Sequence, residues 1–87
     1  MKIDLNKNMI GLDGKEIANS NIGIMVATLL ANSNLGDAKK TILWAIDLHK
    51  GKSLYLEDQD RNLFVNFVTN NPNISDLLEY RILGLLK

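Results

Sequence analysis

The chain has no cysteine, which excludes disulfides and thiolate metal sites. Stability must therefore come from a hydrophobic core, completed where necessary by oligomerisation. Charge of one sign is also missing. Ten Lys and Arg balance ten Asp and Glu, whereas a nucleic-acid binder usually carries a basic face. Nucleic acid is not expected as a partner. Residues 1–5 lack the charged-then-apolar pattern and small-residue cleavage site of a secretory leader. No apolar run reaches the roughly 20 residues a membrane span requires. The expectation is a cytoplasmic protein that does not engage a membrane, folded as a single domain over residues 1–87.

Catalytic inventory is equally thin. His49 is the lone histidine, and a general base needs a positioned carboxylate. Asp47 is two residues away and points elsewhere on a helix. Asp58, Asp60 and Asn62 echo the start of a calcium loop. The sixth and twelfth positions of that loop, which require Gly and Glu, are Leu63 and Thr69 here. Gly11 to Lys15 ends in Gly-Lys but lacks the spacing and the hydroxyl residue of a phosphate loop. No enzyme activity, cofactor or metal site is expected.

What is present is apolar and patterned. Residues 17–35 carry no charge, and their centre, Ile22 to Ala31, is apolar almost all round a helix. Such a helix must be buried on every face, which an 87-residue domain struggles to achieve alone. It is expected at the centre of the fold and as a possible seam between two copies. Eleven asparagines lie mostly outside the apolar stripes, where turn and cap chemistry suits them.

The order of elements follows from local signals. Residues 2–5 alternate as a strand, and residues 9–12 form a second. Asp13-Gly14 predicts a two-residue hairpin turn, with Lys15 to Ile17 returning. Ala18 to Asn21 reads as a connection, and Asn21 caps helix one, Ile22 to Ala31. Gly36 punctuates its end. Asp37 caps helix two, Ala38 to about Lys50, with Gly51 at its C′ position. Residues 52–56 alternate as a third strand beside the hairpin. Glu57, Asp58 and Asp60 open helix three, which ends near Thr69. After a turn at residues 70–73, Asn73 or Ser75 caps helix four, which runs to Lys87. The expected class is α+β: a short antiparallel sheet, the hairpin plus the strand near 52–56, packed by about four helices.

Helical faces suggest where partners bind. Helix two groups Trp44, Leu48, Ala45, Ile42 and Ile46 into an apolar sector, leaving Leu43 among polar residues. Helix four faces inward with Leu77, Leu78, Ile82, Leu85 and Leu86. Leu83 lies opposite, near Tyr80. Helix three turns Leu63, Phe64, Phe67 and Val68 inward. Ile24, Leu43, Tyr80 and Leu83 are therefore the candidate partner or oligomer interface. Lys39, Lys40, Lys50 and Arg81 are candidate contacts for an anionic ligand such as a nucleotide signal.

The opening Lys2-Ile-Asp-Leu5, then Leu12-Asp-Gly-Lys15-Glu-Ile17, Leu29-Leu-Ala-Asn32 and Gly36-Asp37-Ala38-Lys39 resemble a class of small phage and prophage proteins. Trp44-Ala45, Lys50-Gly-Lys-Ser-Leu54 and the acidic stretch from Asp58 to Asp60 continue the resemblance over nearly the whole chain. It implies a mobile-element origin and transfers no catalytic or binding residue. The expected function is a non-enzymatic protein-interaction module, homo-oligomeric with a dimer favoured, that binds a protein in virion assembly or inhibits a host factor. Sequestering of a small nucleotide signal is the alternative.

Overall fold

The computed structural model describes residues 2–34 and 37–86. The elements are β1 (Lys2–Ile3), β2 (Asn8–Ile10), β3 (Glu16–Asn21), α1 (Ile22–Ala31), α2 (Ala38–His49), β4 (Leu54–Tyr55), α3 (Asp58–Asn70) and α4 (Asp76–Leu85). Four helices with short antiparallel pairings make an α+β fold. Gly36 and Lys87, expected to end helix one and helix four, lie outside the described residues.

The strands form two two-stranded sheets, β1 with β4 and β2 with β3, rather than one sheet joined through the hairpin. The physical reason lies between β1 and β2. The Leu5 carbonyl accepts from Lys7 N and Gly23 N, and the Lys7 carbonyl accepts from Ile22 N, at 2.8–2.9 Å. The first N–H groups of α1 need partners, and they take carbonyls that a continuous ladder would have used. Gly23 allows this approach: a Cβ there would lie 3.2 Å from the Leu5 carbonyl and 3.3 Å from that of Leu48.

The hairpin also differs from expectation. Gly11 N donates to Lys15 O and Gly14 N to Gly11 O, so the loop has three residues. Gly14 alone takes a positive φ, +80°, which fits a turn followed by a glycine bulge. Residues 18–21, expected as a connection, are part of β3. The register slips between Asn8↔Asn21 and Ile10↔Glu16. Asn19 absorbs the slip at φ +57°, a conformation Asn tolerates. Buried Ser20 repairs the ladder: its Oγ accepts from Met9 N at 2.9 Å and donates to Ile17 O.

Capping fixes the helix starts. Asn21, Asp37 and Ser75 side chains accept from Ile24 N, Lys40 N and Leu78 N respectively. Gly51, at φ +79°, lets the chain turn beyond α2. The core is continuous. Val26 and Leu30 of α1, Trp44 and Leu48 of α2, Phe64 and Val68 of α3, and Ile82 of α4 meet Ile3, Leu5, Leu54 and Leu56. Trp44 and Phe64 pack edge to face at 6.2 Å between centroids.

Two packing expectations are corrected. The apolar sector of α2 is only partly core, because Ile42 and Ile46 face outward. α1 is not covered on every face either: Ile24, Thr28 and Ala31 are exposed. One chain supplies too few elements to enclose the α1–α2 pair from both sides.

Candidate functional site

α1 and α2 pack antiparallel, with Gly23 against the end of α2 and Ala31 beside Ala38 and Ile42. Their outward sides carry matched stripes. Ile24, Thr28 and Ala31 follow at i, i+4 and i+7 along α1, and Ile42, Ile46 and His49 repeat that spacing along α2. Such positions share one helix face. Ile24, Ile42 and Ile46 keep 44%, 41% and 43% of their surface exposed. A shallow groove of about 290 Å³ runs between the helices, floored by Ala27 and Ala45. His49 is exposed at its end beside Lys50, with no carboxylate bonded to it among the described contacts.

The four candidate interface residues occupy three places. Ile24 belongs to this stripe. Leu43 is exposed on another side of α2, beside Lys39, Lys40 and Trp44. Tyr80 and Leu83 border a groove of about 640 Å³ between α4 and Ile10 of β2. Tyr80 is exposed, whereas Leu83 is half-buried against the core. Packing against the core shelters it, which the α4 pattern alone does not reveal.

The candidate anion-binding cations do not converge. Lys40 and Lys50 sit at opposite ends of α2, about 15 Å apart at 1.5 Å per residue. Lys40 Nζ lies 2.6 Å from Asp60 Oδ1. That hydrogen bond holds the ammonium above its ordinary value, against a smaller burial effect, with Asp60, Asp37 and Glu57 adding attraction. Arg81 donates from Nε to Ile10 O at 2.8 Å and from Nη2 to Gly11 O at 3.0 Å. It also lies 5.3 Å from the Tyr80 ring. Its guanidinium ties α4 to the hairpin. Lys39 is exposed.

A third cleft, about 430 Å³, lies where α3 ends. Asn34, Asn66, Asn70, Asn71 and Asn73 line it over Leu63, Phe67 and Pro72. The sequence marks these asparagines only as turn formers. Their convergence depends on how α1 and α3 meet in space. Ile42 and Ile46 were also missed, yet α2 carried a signal: its apolar sector is too broad for one neighbouring layer.

Among the described residues, no group of three His, Asp or Glu could hold a metal. No described helix is long and apolar enough to cross a membrane. Comparison with family models, curated proteins and solved structures finds no match.

Proposed function

We propose that this chain is a non-enzymatic protein-interaction module that pairs with a second copy of itself through the open face of α1 and α2. The observation that carries this reading is the double stripe, Ile24 with Ile42 and Ile46, exposed on two adjacent helices. α1 contributes no charge to the face, so a two-fold axis that crosses α1 brings no like charges together along that helix, and the lysine of the groove, Lys50, lies at its end. Two such faces would stack as a four-helix layer.

Size sets the expected strength. α1 is about 15 Å long and two helices are about 20 Å wide, a footprint near 300 Å². A stable interface covers about 800 Å² per partner. The dimer is therefore expected to depend on concentration, forming in the micromolar range or above. The resemblance to small phage and prophage proteins supports a mobile-element role in virion assembly or inhibition of a host factor. The dispersed, partly committed cations give nucleotide sequestration no comparable support.

Light scattering on a size-exclusion column over a concentration series tests the pairing. The chain should move from monomer toward dimer mass, and Ile42→Lys with Ile46→Lys should stay monomeric with an unchanged circular dichroism spectrum. A wild-type chain that remains monomeric at millimolar concentration would overturn self-association. Leu43, Tyr80 and Leu83 would then be the surfaces to test against a foreign protein.

A further inference from the structure

The cleft at the end of α3 has an unusual electrostatic character. A helix leaves its last four carbonyls without intrahelical partners. In α1, α2 and α4 the residue after the helix donates a backbone N–H back into the last turn. Among the described residues, α3 is the helix that lacks this bond. Pro72 explains why. It has no N–H to give, and it drives the preceding residue, Asn71, into extended backbone at φ −86° and ψ 116°. The next two donors turn aside: Asn73 N goes to Asn71 Oδ1 and Ile74 N to Asn71 O.

The side chains do not compensate with positive charge. None of the residues lining the cleft is charged, and neither α1 nor α3 has a basic residue in its last turn. Both helices end at this cleft, α1 through Ser33 and Asn34. Each brings the negative end of its dipole, about half an elementary charge. The amides add acceptors. Asn70 donates its Nδ2 to Asn66 O and keeps Oδ1 free. The side chains of Asn66 and Asn73 have no partner among the described bonds. The result is an uncharged surface rich in oxygen acceptors, set at the C-terminal ends of two helices over an apolar floor.

We propose that this cleft receives an arginine side chain presented by a protein partner. A guanidinium offers five N–H donors in a plane, is weakly hydrated and stacks on apolar surface. It can lie over Pro72 and Leu63 while donating to the α3 carbonyls and the asparagine oxygens. An ammonium is a compact, strongly hydrated charge that makes less use of the floor. An anion is disfavoured by both helix ends. This site is separate from the α1–α2 face and does not depend on the pairing proposed above.

The test is a heteronuclear NMR titration of the full chain with N-acetyl-arginine amide, its neutral isostere N-acetyl-citrulline amide, and N-acetyl-lysine amide. Arginine should shift the backbone amide of Asn71 and the side-chain amides of Asn66, Asn70 and Asn73 in a saturable way. Two helix ends predict binding roughly threefold to thirtyfold tighter than citrulline, weakening with salt. Absent or unsaturable shifts, or equal affinity for citrulline, would overturn the proposal. Equal affinity for lysine would overturn the choice of a guanidinium. Asn70→Lys supplies a cation to the last turn of α3. It should raise Tm by a few degrees while abolishing the arginine shifts, so loss of binding cannot be ascribed to unfolding. Arginine shifts that persist unchanged in N70K would count against this site.

Discussion

The two sides of the α1–α2 pair are built from the same kinds of residue and differ in what covers them. Inward, Val26, Leu30 and Leu48 are fully enclosed by the strands and the other helices. Outward, Ile24, Ile42 and Ile46 are equally apolar but each keeps over 40% of its surface in water. Hydrophobicity alone does not separate a core from an interface. The supply of neighbouring elements does, and here it runs out after one side.

The sharpest way to break this contrast is Leu30→Ala on the closed side. Leu30 is 0% exposed, so truncation removes buried surface and leaves a cavity, costing about 2–5 kcal/mol. For a domain this small that lowers Tm by roughly ten degrees or more, measured by thermal or urea unfolding. On the open side, Ile42→Lys with Ile46→Lys should change unfolding of the dilute monomer far less, because the lysine heads reach water and their stems cover the groove. Its effect should appear as lost association at high concentration. Equal destabilisation by the two changes would show that the outer stripe belongs to the monomer's own core.

How the pair is anchored gives a smaller effect. Asn21 Oδ1 accepts from Ile24 N at 3.0 Å, and its Nδ2 donates to Asn6 Oδ1 at 3.0 Å. Asn21→Ala should cost about 1 kcal/mol through loss of the cap, lowering Tm by roughly 4–8 °C. No change would mean that the Leu5 and Lys7 carbonyls position the start of α1 by themselves.

Features set by near neighbours in the chain were legible. Asn21, Asp37 and Ser75 cap helices because a short side-chain oxygen reaches an N–H three residues on. Gly14 and Gly51 take the positive φ that their turns require. Leu54 and Leu56 are buried while Tyr55 is exposed, as strand alternation dictates. What periodicity could not convey was competition between distant groups. The carbonyls of Leu5 and Lys7 go to α1, and that divides the sheet. Ile42 and Ile46 look like core until the number of covering layers is known. The candidate site was legible in the same measure. Ile24, Leu43 and Tyr80 are exposed, but they lie on three surfaces, and Leu83 is half-buried against core residues far away in sequence. Pro72 announced a turn, although its consequence for the α3 carbonyls required the path of the chain beyond it.

The smallest effect is expected where α2 meets α3 by charge rather than by apolar contact. Lys40 and Asp60 are 2.6 Å apart, but the Lys40 side chain remains 40% exposed, so water and salt screen the pair. Lys40→Met should move the unfolding midpoint least of these changes. The difference from wild type should shrink in molar salt. The hydrogen bond to Asp60 raises the lysine above its ordinary value of 10.5. A raised folded-state value favours folding while the group is charged in both states. That contribution is complete below about 10.5 and disappears as pH climbs through the higher folded-state value. Wild type and variant should therefore converge in stability only at strongly alkaline pH. The absence of a gap at every pH and salt concentration would assign the role of Lys40 to the packing of its stem, which Met retains, beside Leu43 and Trp44. The α2–α3 contact would then obey the same rule as the closed face of α1 and α2, with covered apolar surface, not charge, holding the helices together.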